Sequence, residues 1–165
     1  MDALQKAVAR ARDVGSVDPD KSLVGPLGIE HIRYTQTRVE PIDAAEARAR
    51  RLVAHIDSHP LARTFARLAM QIVLKMRKHG FRSLGVVTPT AGTGGSLVAA
   101  NLALALAREP NHTVLAVDAN LRAPALADYF GFVPEHGLVD HLASSVPIPP
   151  MLVNPGVPRL VILPG

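Results

Sequence analysis

Leu84–Ala107 reads LGVVTPTAGTGGSLVAANLALALA, and the fold turns on how this stretch is interpreted. Leu84 to Thr88 is a short, nearly continuous apolar run, of the kind buried on both faces of a parallel sheet. Pro89 to Gly95 follows with three glycines, which supply backbone shapes that side chains forbid. Ser96 to Ala107 is rich in Leu and Ala, lacks internal Gly and Pro, and is apolar nearly all round, which predicts a well-buried helix. Strand, glycine-rich turn and helix, in that order, aim the helix's unsatisfied N–H groups at an anion, most often a phosphate.

The phosphate-binding pattern G-x-x-x-x-G-K-[ST] places a lysine before the hydroxyl residue, so that its charge reaches the outer phosphates. Here Gly92-Thr93-Gly94-Gly95-Ser96 puts Gly95 at the position of that charge. Two readings stand side by side. In one, the backbone of Gly92, Thr93, Gly94, Gly95, Ser96 and Leu97 cradles the phosphates of a nucleotide. In the other, the glycines only allow a tight turn between strand and helix.

Downstream, His112 to Val117 predicts a second strand, which carries Asp118 to the crevice beyond its C-terminal end, where α/β sheets bind ligands. Asp118 also has two readings: phosphate or metal chemistry, or capping of the turn that follows it. Pro124 to Tyr129 and Leu138 to Ala143 predict short helices, with Phe130 and Phe132 as core anchors. His112 and His141 read as surface or hydrogen-bonded structural histidines. Ser145 to Pro158 is proline-rich and predicts a loop, and Arg159 to Leu163 a final strand. Strands at 84–88, 113–117 and 159–163 are expected to lie parallel. So few strands leave open sheet edges, and Arg159–Leu163 is the segment expected to self-associate or to need cover from another chain.

Upstream, Leu61, Phe65, Leu68, Ile72 and Met76 recur at helical spacing. They predict a helix from Leu61 to His79, opened by Pro60 and closed by Gly80 after the basic run KMRKH. Asp43 to Ile56 predicts another, with Asp43 as N-cap and Glu46 completing a capping box. Its arginines, Arg48, Arg50 and Arg51, read as a solvated face. Val14 to Pro41 reads as linker with one extended piece, His31 to Val39, which holds Tyr34. Met1 to Asp13 reads as a small amphipathic helix. The expected organisation is a helix and linker segment over residues 1–60 and an α/β unit over 61–165.

The chain of 165 residues is 48% apolar, enough for a sizeable core, and with no tryptophan and four phenylalanines that core must rest on Leu, Val, Ile and Ala. A net charge of +4 permits contact with nucleic acid or acidic lipid without indicating it, and no basic-aromatic interleaving marks a nucleic-acid surface. The absence of cysteine excludes disulfides and thiolate chemistry. No run approaches the roughly 18 consecutive apolar residues of a membrane helix, and the first residues lack the hydrophobic core of a signal peptide, so the expected location is the cytoplasm.

Val114–Pro124, VLAVDANLRAP, together with YFGF at 129–132, GLVDHL at 137–142 and the glycine loop, resembles the bacterial tyrosine autokinases of exopolysaccharide synthesis. The likeness is close to the branch that accompanies exosortase systems and covers roughly Leu61 to Gly165. It implies a P-loop α/β fold, incomplete relative to the family. It further implies ATP or ADP with Mg2+ as ligand, with Ser96 and Asp118 as metal ligands and Asp118 as the catalytic acid that the family keeps, a membrane polysaccharide co-polymerase or export protein as partner, and a place at the inner face of the membrane. The sequence departs from the family at several points. The family's G-E-G-K-[ST] lysine is Gly95, and the second acid of its D-A-D segment is Asn120, although Arg122 is kept. Its E-x-x-R-x-x-R-T assembly motif falls on Arg63, Ala66, Ala69 and Met70. The D-T-P-P motif and the tyrosine cluster of those kinases would lie beyond Gly165. Phosphoryl transfer needs charge on the moving phosphate and an oriented hydroxyl. The resemblance therefore implies a degenerate kinase that binds nucleotide without efficient turnover, or a non-enzymatic regulator or scaffold built on the same fold.

Overall fold

The computed structural model describes residues 37–90, 92–110 and 112–165. The expected helix at Met1–Asp13, most of the linker, Tyr34 and the start of the extended piece at 31–39 lie outside the described residues. In chain order the elements are β1 (Arg38–Val39), α1 (Ala44–Ala49), α2 (Pro60–His79), α3 (Gly95–Ala107) and β2 (Val114–Val117). They continue with α4 (Leu126–Phe130), α5 (Leu138–Ser144), a 3-10 turn (Pro149–Met151), β3 (Val153–Asn154) and β4 (Leu160–Leu163).

The strands form one mixed sheet in the order β1-β3-β4-β2. β2 and β4 pair in parallel from Val114↔Leu160 to Val117↔Leu163, as expected. β1 also runs parallel to β3, but β3 meets β4 antiparallel at Val153↔Ile162, so the sheet is not all parallel. The connection between β3 and β4 explains the reversal, because parallel strands need a crossover of a dozen or more residues and this link is too short for one. Asn154 holds the turn: its Nδ2 donates to Val157 O (2.9 Å) and Leu160 O (2.7 Å), and its Oδ1 accepts from Gly156 N (2.9 Å).

Two strand expectations need correction. Leu84–Thr88 pairs with no strand among the described residues, and residues 81–90 are exposed throughout, Val87 at 90%. An extended apolar run joins a sheet only where an edge accepts its main-chain bonds, and the segment reaches neither side of β4. Arg159–Leu163 is likewise no edge. β4 lies inside the sheet between β3 and β2, and among the described residues the edges belong to β1 and β2.

The core lies where α3 is clamped between α2 and the sheet. Leu102, Leu104, Phe130, Phe132, Val153, Leu160 and Ile162 are buried with the alanines of α3. α2 starts at Pro60, with His59 Nδ1 accepting from Leu61 N (3.2 Å), and ends at Gly80 in the left-handed region (φ 69°), as its sequence predicts. Its buried side is Ala62, Ala69 and Val73, with Phe65 and Ile72 half-buried, whereas Leu61 and Leu68 are exposed. The small residues face α3 because a ridge of alanines lets two helices pack closely.

Asp43 caps α1 as expected, its Oδ2 accepting from Ala45 N (2.8 Å) and Glu46 N (3.1 Å), but Glu46 pairs with Arg50 instead of closing a capping box. α1 ends at Ala49, short of Ile56, because Leu52, Val53 and Ala54 turn into the core. Asn101, a polar residue of α3 only 1% exposed, holds them there. Its Oδ1 accepts from Val53 N (2.8 Å) and Ala54 N (3.0 Å), and its Nδ2 donates to Arg51 O and Leu97 O (both 3.0 Å). Ala47, Leu52 and Ala54 thus share the core of residues 61–165, and β1 shares its sheet, so the packing runs across the boundary expected at residue 60. Among the described residues, no helix is long and apolar enough to cross a membrane.

Candidate functional site

The glycine loop opens onto the first turn of α3. Gly92 (φ 77°) and Gly94 (φ 86°) both take the left-handed conformation that side chains resist, and Thr93 between them turns its Oγ1 back to donate to Thr90 O at 2.9 Å. No side chain caps α3; its N-cap is Gly94, and the first intrahelical bond runs from Val98 N to Gly94 O at 2.9 Å. The amides of Gly95, Ser96 and Leu97 precede that bond and lie at the positive end of the helix dipole. Gly92 and Thr93 are exposed, and Gly94 through Leu97 half-buried, so solvent reaches the turn. Gly95 is glycine for a local reason, since a Cβ there would run into Thr88 Cγ2 and lie 3.1 Å from Thr88 Oγ1.

Asp118 follows β2 and is 6% exposed. Its Oδ1 accepts from Asn120 N (3.1 Å), and its Oδ2 from Ala125 N (2.7 Å) and Leu126 N (2.9 Å), which caps α4 from a distance. Asn120 completes the loop by donating from Nδ2 to Ala123 O (2.9 Å), and Arg122 points to solvent. Among the described residues, the carboxylate's hydrogen bonds run to its own loop and none to residues 92–97.

This donor set does not fit a resident magnesium ion. Mg2+ demands a near-octahedral shell of oxygens, and Asp118 directs both of its oxygens at main-chain amides. Among the described residues, no group of three or more His, Asp or Glu side chains is placed to hold a metal. At the loop, by contrast, two glycines in the left-handed region lead into the first-turn amides of Gly95, Ser96 and Leu97, which no side chain caps.

Sequence reasoning passed over Asn101, which joins the 51–54 turn to the helix that the loop feeds. The available signal is one amide residue set within the apolar run Leu97–Ala107. His55 also went unremarked. Its pKa is lowered from the ordinary 6.5 by burial and then by the nearby charges of Arg108 and Arg48. Arg108 donates to His55 O at 3.1 Å and pairs with Asp57 at 2.5 Å. His141 is satisfied by Val146 O at 2.7 Å and His112 by Pro110 O at 3.0 Å, and Phe130 and Phe132 are core anchors, as expected. No family model matches the chain, and neither the curated proteins nor the solved structures yield a match.

Proposed function

We propose that this protein is a kinase-like scaffold of exopolysaccharide synthesis that binds the phosphates of ADP or ATP through backbone amides and does not transfer them. The observation that carries the reading is the pair of left-handed glycines, Gly92 and Gly94, leading into the uncapped start of α3. The motif resemblance at 114–142 supplies the pathway and the expected membrane export partner. Binding without transfer follows from the side chains. Gly95 brings no charge to the outer phosphates, Asn120 is no acid, and Asp118 is occupied as a cap. Loss of even one preorganised group that stabilises transition-state charge costs about 10²–10³ in rate, so a site without its cation and metal ligands retains binding at most.

The test is thermal stability against ADP, ATP and inorganic phosphate, each with and without Mg2+. Stabilisation by nucleotide that is indifferent to Mg2+ supports the reading, and none at millimolar nucleotide overturns it. A charge restored by Gly95→Lys, made together with Thr88→Ala to clear the space beside Cα, is expected to tighten nucleotide binding by about tenfold, the equivalent of one charge-assisted contact. Phosphotransfer to a tyrosine peptide by that double variant would contradict the assignment of Asp118 as a cap.

A further inference from the structure

Between Asp57 and Glu109 the chain holds no acidic residue, and α2 fills much of that interval. Arg63, Arg67, Lys75, Arg77 and Lys78 stand on this helix and Arg82 lies just past its end, all of them exposed. None of their side chains joins an ion pair among the described residues. Arg63, Arg67, Met70, Leu74 and Arg77 recur at intervals of four, three, four and three, which sets them in one stripe along a helix about 30 Å long. Ala62, Ala69 and Val73 form the buried side, and the helix packs on α3, so the stripe is turned outward. Met70 and Leu74, 44% and 57% exposed, are therefore large apolar side chains set among cations. Phe81, 61% exposed and stacked on His79 with ring centroids 5.4 Å apart, extends the apolar surface beyond the helix end.

We propose that α2 lays this stripe on an anionic lipid surface, its cations at the level of the headgroup phosphates and Met70, Leu74 and Phe81 dipping into the interface. Charge complementarity selects the occupant. An amphipathic helix bearing about four to eight Lys or Arg binds anionic lipid, each cation adding about fivefold to affinity, and exposed apolar side chains among those cations deepen the contact. Residues 1–36 carry five acids and five bases, so they bring no net negative charge to neutralise the stripe. A nucleic acid satisfies the cations through its phosphates but gives Met70 and Leu74 nothing apolar to enter, whereas a bilayer interface meets both. The helix lies on the surface and does not cross it, in keeping with its charge. The inference rests on α2, Phe81 and Arg82 and is independent of nucleotide binding.

Co-sedimentation of the full chain with vesicles tests it, comparing phosphatidylcholine alone with an equimolar mixture of phosphatidylcholine and phosphatidylserine. The expected result is binding to the mixed vesicles at low salt, little to phosphatidylcholine alone, and release at about 0.5 M salt, where charge is screened within a few ångströms. Arg67→Glu is expected to weaken partitioning at least about tenfold, whereas Arg122→Glu, the same change of charge on an exposed loop, leaves it within about twofold. Leu74→Ser is expected to cost at least about threefold, a loss that charge alone does not produce. Absence of binding to the mixed vesicles overturns the proposal, and that comparison needs no variant to fold. Equal losses from Arg67→Glu and Arg122→Glu overturn it too. So does displacement of the vesicles by duplex DNA while Leu74→Ser changes nothing, which would mark the stripe as a nucleic-acid surface.

Discussion

At the scale of single residues, the role of Asp118 turns on where its carboxylate places its hydrogen bonds. Asp118 sits where a nucleotide enzyme would keep an acid, yet it holds three main-chain amides in its own loop. Asp118→Ala strands those donors and is expected to lower unfolding stability by about 2–4 kcal/mol in urea titration, while leaving ADP affinity within about twofold. A large loss of affinity with little loss of stability would return the residue to the ligand site. His55 supplies a pH signature. Its folded pKa is lowered below the ordinary 6.5, so the unfolded chain binds the proton first. Its contribution is therefore complete above about pH 6.5 and falls as pH drops from there through the folded pKa. His55→Gln is expected to flatten the stability profile in that window, and an unchanged slope would remove burial and the two arginines as its cause.

At the scale of elements, local signals were legible in proportion to how little they depended on distant partners. Pro60, Gly80 and the intervening apolar spacing mark α2 almost to the residue, and Asp43 announces the start of α1. Strand formation is a different matter, because it depends on an edge elsewhere in the chain. The runs at 84–88 and 114–117 look equally suited to a sheet, but only the second meets β4. The end of α1 was hidden for the same reason, since it is set by Asn101, about fifty residues away. The loop glycines were legible as a motif, whereas the Thr88 contact that keeps Gly95 small was not. Asn101→Ala strands two buried amides on the 51–54 turn and is expected to cost about 2–4 kcal/mol by chemical denaturation. A cost within about 0.5 kcal/mol would mean that the turn is held by its apolar side chains alone.

At the scale of the whole molecule, a tightly packed side, where α3 lies on the sheet, contrasts among the described residues with exposed apolar side chains on β2 and residues 81–88. The glycine loop stands between the two, joined to the exposed run through Thr88 and Gly95 and to the core through α3. Any ligand at the loop would thus be held by backbone shape at one helix tip, while the acid after β2 is engaged by main-chain amides of its own loop. Two-dimensional amide NMR during titration with ADP in magnesium-free buffer tests this most directly. The account predicts saturable shifts centred on Gly92, Thr93, Gly94, Gly95, Ser96 and Leu97, abolished by Gly94→Ala, with the Asn120, Ala125 and Leu126 amides unmoved. Silence at residues 92–97, or shifts centred on the Asp118 loop instead, would contradict it.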